Sequence, residues 1–285
     1  MQILLFIGKS IAAEDDASGG CTNQYKVSIV QNNLHVDYSN SSLTDACFQR
    51  FIETFENVSM IVDLNLDLNR LTTFVDITRN NDRILFPSLL YLTMKKNSLQ
   101  EVPPLLSKFA PKLLSLDLTY NLITNVSASN FVNESNVHVG YPSLFNLILS
   151  YNRINKLLGD PFKFGFDQLK RMYLDHNRIN SIDASTFQGL SSLILLDLQS
   201  NMIESISAKT LEFSKVLSFL YLGGNRLREI WSYTFVNLQQ MNVLSLANNN
   251  ISKIFNHAIS KTYIRKLDLS HNKLAMILKL SLIHI

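Results

Sequence analysis

Residues Leu193 to Asn201 read Leu-Ile-Leu-Leu-Asp-Leu-Gln-Ser-Asn, with Met202 and Ile203 behind them. Counting Leu193 as the first place, apolar residues stand at the first, fourth, sixth and eleventh places and an asparagine at the ninth. Leu196 and Leu198 alternate as strand residues do, so both face one core while Asp197 faces away. Asn201 then ends the strand. Its amide carries two donors and an acceptor, enough to serve backbone groups that a bend leaves unpaired.

The frame recurs along the chain. Earlier copies are Ile61/Leu64/Leu66/Asn69/Leu71, Leu89/Leu92/Met94/Asn97/Leu99, Leu113/Leu116/Leu118/Asn121/Ile123, Leu144/Leu147/Leu149/Asn152/Ile154 and Leu169/Met172/Leu174/Asn177/Ile179. Later copies are Leu217/Leu220/Leu222/Asn225/Leu227, Met241/Leu244/Leu246/Asn249/Ile251 and Ile264/Leu267/Leu269/Asn272/Leu274. With the copy at Leu193 this makes nine, their asparagines 23 to 31 residues apart. Such a period marks a repeat array, in which a single unit cannot bury its own apolar face and neighbours must stack to do so.

On these residues the chain resembles the leucine-rich-repeat family over residues 60–274. The resemblance implies an α/β solenoid, a curved horseshoe of nine repeats. Its parallel sheet would line the concave face, with short 3₁₀, strand or loop segments on the convex side. The second halves of the repeats narrow the likeness. Phe187 and Phe235 each follow the eleventh-place residue by eight, a mark of the typical animal extracellular class. The Gly-x-Ile-Pro motif of the plant class and the longer repeats of the ribonuclease-inhibitor class are missing.

The array divides the chain. Residues 1–14 read as a short or truncated signal peptide, with an apolar run briefer than usual and nothing basic before it. Residues 15–59 form an N-terminal cap. There Val27–Ile29 and Leu34–Val36 alternate like strands, and Leu43, Phe48, Phe51 and Phe55 fall at helix-like spacings. Residues 60–274 are the repeats, and 275–285 an apolar tail that reads as an incomplete C-terminal end, as a makeshift cap or as a dimerising surface. Two polar stretches, Asn80–Arg83 and Asn133–Gly140, lengthen the first and third repeats and read as surface loops.

Cys21 and Cys47 are the only cysteines. Taken alone they are either two buried thiols or a disulfide. The resemblance favours a disulfide closing the cap, which the loop-entropy model values at roughly 3–4 kcal/mol in an oxidising compartment. Five sequons, Asn40, Asn57, Asn125, Asn133 and Asn250, permit glycosylation, although a chain this rich in Asn, Ser and Thr acquires sequons by chance.

A net charge of +3 with 17% charged residues gives no basis for a nucleic-acid partner. No apolar run reaches the 18 or so residues of a membrane span. Catalysis fares badly too. His176 and His271 lie four repeats apart, roughly 20 Å at the spacing of parallel strands, and Asp175 and His176 should point to opposite sides of a strand unless the bend redirects them. No metal-ligand set, cofactor motif or phosphate loop is present, so no catalytic residue is expected.

Binding should rest on places that point away from the core, where equivalent residues of successive repeats form columns. The eighth place reads Leu68, Lys96, Tyr120, Tyr151, His176, Ser200, Gly224, Asn248, His271. Tyr120, Tyr151 and His176 should therefore stack, surrounded by Lys95, Lys96, Asp117, Tyr173 and Asp175. Aromatic residues with mixed charge on a rigid sheet are hot-spot chemistry, and equally a way for strands to brace one another.

The resemblance implies an extracellular, non-catalytic protein similar to Toll-like receptor ectodomains, chaoptin-like adhesion proteins and arthropod leucine-rich immune proteins. Its ligand would be a protein, with a glycan or lipid as alternatives, in adhesion, signalling or innate immunity. Rival readings are an ectodomain fragment of a membrane-anchored receptor and an intracellular scaffold.

Overall fold

The computed structural model describes residues 25–30, 33–55, 57–74, 86–104, 106–131, 140–236, 238–259 and 262–274. The signal-like segment, Cys21, both polar insertions (apart from Gly140) and the apolar tail lie outside the described residues.

Each copy of the frame forms one short strand. The fourth-place residue is buried in all but the last copy, where Leu267 is half-buried, and its two neighbours face outward, so the strand spans little more than the third to fifth places. In chain order these strands are β3 (Ile61–Asn65), β4 (Tyr91–Thr93), β5 (Ser115–Asp117), β7 (Asn146–Ile148), β9 (Arg171–Tyr173), β10 (Leu195–Asp197), β11 (Phe219–Tyr221), β13 (Val243–Ser245) and β15 (Lys266–Asp268). They pair in parallel with equivalent residues aligned, so that Leu196 lies opposite Met172 on one side and Leu220 on the other.

The sheet continues into the cap. Strands β1 (Lys26–Val30) and β2 (Asn33–Asp37) form an antiparallel hairpin, and β2 pairs in parallel with β3. The described sheet therefore has eleven strands. In β2 and beyond, Val36, Tyr38 and Leu43 occupy the fourth, sixth and eleventh places of an extra turn, all buried. Ser41 stands where the asparagine would be, and its backbone N–H donates to Asn69 Oδ1 at 3.1 Å. Helix α1 (Asp45–Thr54) follows, capped by Thr44 and burying Cys47, Phe48, Phe51 and Ile52. Tyr25, Tyr38, Phe51 and Phe55 pack edge-on or tilted around it, closing this end of the core.

The return segments are irregular. They include the short helix α2 (Leu106–Phe109) and two small parallel pairs, β6 (Asn125–Ser127) with β8 (Lys156–Leu158) and β12 (Glu229–Ile230) with β14 (Lys253–Ile254). Eight residues past the eleventh place, Phe131, Phe162, Phe187, Leu211, Phe235 and Ile259 are all buried, and the Phe162 and Phe187 rings stack 6.4 Å apart. This column fills the space that short return segments leave behind the leucines.

The asparagines join the turns. Asn201 Nδ2 donates to Leu174 O of the preceding turn at 2.9 Å and to Leu198 O of its own turn at 3.1 Å. Its Oδ1 accepts from Ile179 N at 3.0 Å, also in the preceding turn. Asn69, Asn97, Asn121, Asn152, Asn177, Asn225, Asn249 and Asn272 repeat the pattern, each donating to the preceding turn at 2.8–3.0 Å. Among the described residues no helix is long and apolar enough to cross a membrane.

Candidate functional site

The eighth place is not part of the strand. All nine of its residues have positive φ, from 52° at Asn248 to 67° at Gly224. Eight are not glycine, although a side chain in this left-handed region costs on the order of 1–2 kcal/mol. The bend is held by backbone bonds to the next turn: Tyr120 N to Ser150 O at 3.1 Å, Tyr151 N to Asp175 O at 3.0 Å and His176 N to Gln199 O at 2.9 Å. Each side chain here is thus carried on a pinned backbone, one step along the solenoid from the next.

The aromatic column assembles on these bends. Tyr120 and Tyr151 stack with centroids 4.4 Å apart, and Tyr151 and His176 at 4.1 Å. Lys96 Nζ stands over the Tyr120 ring at 5.8 Å and extends the stack by a cation. Tyr120 remains 46% exposed and Tyr151 38%, so the ridge presents ring edges and hydroxyls to solvent rather than filling a core. Burial and the neighbouring Tyr120 hydroxyl hold the Tyr151 phenol above its usual pKa, so it stays neutral.

The bend does redirect Asp175 and His176, the exception to their expected divergence. Left-handed φ at His176 swings its side chain to the same side as its neighbour, and Asp175 Oδ2 accepts from His176 Nδ1 at 2.8 Å. That bond places the imidazole proton on Nδ1, leaving Nε2 to accept from the Tyr151 hydroxyl at 3.3 Å. Ser150 Oγ donates to the other carboxylate oxygen. Ser150, Asp175, His176 and Tyr151 thus form one chain of hydrogen bonds that fixes the ridge.

Lys95 and Asp117 belong to a second group below the ridge. Lys95 Nζ lies 3.3 Å from Asp67 Oδ2 and 3.9 Å from Asp117 Oδ2. Asp67 also accepts from Thr93 Oγ1 at 2.6 Å and from the Lys95 backbone at 2.7 Å. Asp67 was outside the expected site; its signal in the sequence was an acid one turn before Lys95 at the same seventh place. Tyr173 lies apart from the ridge, half-buried on the sheet with Asp197 and Tyr221 beside it.

Among the sequons, Asn40 and Asn57 are exposed and Asn125 and Asn250 half-buried; Asn133 lies outside the described residues. Cys47 is not a free thiol, and its Sγ accepts from Thr44 Oγ1 at 3.2 Å. No His, Cys, Asp or Glu cluster that could hold a metal occurs among the described residues.

Residues 167–227 and 215–274 match the family model described as Leucine rich repeat. No curated protein matches the chain by sequence. Similar solved structures include the Toll–Spatzle complex of Drosophila in its glycosylated form, with TM-score 0.63 and 16% identity over 86% of this chain and 36% of that one. They also include the TLR13–ssRNA13 complex, with TM-score 0.58 and 19% identity over 85% of this chain and 29% of that one. Residues 167–274 are leucine-rich repeats by sequence, and the fold of the described chain is a leucine-rich-repeat solenoid. A third structure, the leucine-rich-repeat domain of APL1, matches with TM-score 0.53 and 23% identity over 77% of this chain and 52% of its own. The chain thus spans between 29% and 52% of the length of these three structures, whose likeness is one of fold.

Leucine-rich-repeat geometry explains which expected residues come together. Tyr120, Tyr151, Asp175, His176 and Lys96 form a continuous ridge because the bends repeat with the turns. Lys95 and Asp117 meet through Asp67. Tyr173, two residues before Asp175 on β9, stays on the sheet.

Proposed function

We propose that this leucine-rich-repeat chain is an extracellular, non-catalytic recognition protein whose aromatic ridge binds a protein partner. The observation that carries the reading is the exposed stack from Lys96 through Tyr120 and Tyr151 to His176. Backbone bonds and the Asp175 hydrogen bonds already order it, so a partner gains contact area without the entropy cost of freezing the side chains. Tyrosines on such a surface match the aromatic enrichment of interface cores, and the flanking Lys96 and Asp175 suit a polar rim. Likeness of fold to the Toll and APL1 structures supports a role in signalling or innate immunity.

The test has two arms. Intact mass of the chain secreted from insect cells, before and after deglycosylation and reduction, reports cleavage, sugar and a Cys21–Cys47 disulfide. Uncleaved, reduced and unglycosylated protein kept inside the cell would overturn the extracellular part. Affinity capture from the source tissue is then compared between the wild type and a Tyr120→Ser/Tyr151→Ser double variant. A partner held by the first and lost by the second supports the ridge; equal capture by both removes it.

A further inference from the structure

The ridge stops abruptly. After His176 the eighth place falls to Ser200 and Gly224 and the seventh, past Gln199, to Gly223 and Ala247, a trough of small residues in which the aromatic column is not continued. Beside that trough, on the outer face of the sheet, Asp197 lies between Tyr173 and Tyr221, aligned with both across adjacent parallel strands. At the usual strand spacing the two tyrosines are about 9–10 Å apart at the backbone, more than the roughly 7–8 Å that one planar group in contact with both walls requires.

Asp197 is half-buried, yet no ion pair forms on it among the described residues. Its carboxylate is held by neutral donors alone: Gln199 N at 3.0 Å and Gln199 Nε2, which lies 3.3 Å from Oδ1 and 3.2 Å from Oδ2. Both oxygens thus share one amide nitrogen, where a guanidinium would bring a separate N–H to each. Burial pushes its pKa up, and the Asp175 charge in the preceding turn pushes the same way, against the Gln199 hydrogen bonds and the nearby His176. Arg171, on the same strand as Tyr173, supplies no counter-charge here: it reaches Asn146 Oδ1 at 3.4 Å and lies 5.3 Å over the Phe145 ring. A half-buried carboxylate aligned between two tyrosines, held by neutral amides and making no ion pair among the described residues, is a place where an incoming cation is favoured over the side-chain amide.

We propose that Asp197, walled by Tyr173 and Tyr221, receives the guanidinium of an arginine carried by a protein partner. A guanidinium is flat, forks onto both oxygens of one carboxylate and stacks on aromatic faces; an ammonium does only the electrostatic part. It replaces the Gln199 amide at the carboxylate, and the amide swings over Gly223, where an added Cβ would already lie 3.5 Å from Gln199 Oε1. This deepens the reading of the chain as a protein-binding surface and rests on it: the ridge supplies contact area and the slot selects a basic side chain.

The test is an NMR titration of the whole chain, with labelled tyrosine rings, against acetyl-Gly-Arg-Gly-amide and its lysine and citrulline counterparts. The arginine peptide should shift the Tyr173 and Tyr221 signals saturably, and the neutral citrulline peptide should not. Asp197→Asn should abolish the shifts, and Tyr221→Leu, which keeps bulk but loses the π face, should weaken affinity about fivefold. Asp268→Asn, the same place on β15, should leave binding unchanged. Equal response to citrulline, lysine binding as tightly as arginine, or retention in either slot variant would overturn the proposal. Failure here leaves the ridge standing as a protein surface. Peptide binding in a chain whose ridge variant captures partners as the wild type does overturns the ridge and keeps the slot.

Discussion

Tyr151 and His176 lie face to face, 4.1 Å apart and 11° from parallel, although they are 25 residues apart in sequence and neither occupies a regular strand. The stack exists because every turn places its eighth residue in the same left-handed bend. A double-mutant cycle between Tyr151→Leu and His176→Leu, followed by urea denaturation, should return a coupling of about 0.5–1.5 kcal/mol, the range for aromatic pairs beyond their area. Coupling near zero would mean that the rings are neighbours without being partners.

The asparagines should be unequal. Asn201→Ala strands the Ile179 N–H and the Leu174 and Leu198 carbonyls inside the core, at about 1–3 kcal/mol for each buried group, so about 3 kcal/mol or more in all. Asn272 makes the same bonds but is half-exposed, and water can replace it. Asn272→Ala should therefore cost about 1 kcal/mol. Denaturation followed by hydrogen exchange, which reports each turn separately, checks both values.

Two glycines with positive φ separate strain from collision. At Gly159 (φ +66°) an added Cβ would meet only Ala128 Cβ, at 3.6 Å, so Gly159→Ala should cost about 1–2 kcal/mol for the left-handed backbone alone. At Gly189 (φ +95°) the same Cβ would press against the carbonyl oxygens of Phe162 and Lys163 in the preceding turn. Gly189→Ala should cost clearly more, about 3 kcal/mol or above, and lower the thermal midpoint visibly.

Titration should act at both ends of the pH scale. Burial pushes the Tyr38 phenol up to about 12 and drives Tyr141, whose hydroxyl donates to Pro103 O at 3.2 Å, higher still. The unfolded chain releases these protons from pH 10 upward while the folded chain keeps them, so their contribution is fully present below pH 10 and is lost as the pH rises toward 12. Absorbance at alkaline pH should show two tyrosines ionising only as the fold is lost. Asp197 is also raised, so its contribution is present below the ordinary carboxylate pKa and is lost as pH rises through the folded value. Asp197→Asn should consequently raise the melting temperature at pH 7 and gain little at pH 3.

The nine strands, their register and the buried columns were legible because leucine and asparagine recur at fixed places, and each place has a single physical job. The turn hidden in the cap was harder to see. Val36, Tyr38 and Leu43 keep its apolar places, but Ser41 replaces the asparagine that marks the others. The bends were hidden for a different reason. Leucine, lysine and tyrosine disfavour left-handed backbone, so nothing at Leu68, Lys96, Tyr120 or Tyr151 announces it; only Gly224, Asn248, His176 and His271 carry residue types enriched there. That one torsion decides whether Asp175 and His176 diverge or meet. The slot was half visible: Tyr173, Asp197 and Tyr221 could be aligned by counting, but that Arg171 turns away from Asp197 could not.

The asparagine bonds between turns all point one way. Each Nδ2 that crosses to another turn finds a carbonyl of the turn before it, and each Oδ1 accepts from that same earlier turn. A nascent chain leaves the ribosome N-terminus first, and segments fold as they emerge. Every new coil of this protein therefore arrives carrying its own fastener, aimed at the coil already finished, and needs nothing from the residues still to be synthesised to make that attachment. Growth by vectorial addition, coil upon coil from the cap outward, is written into the direction of a single side chain.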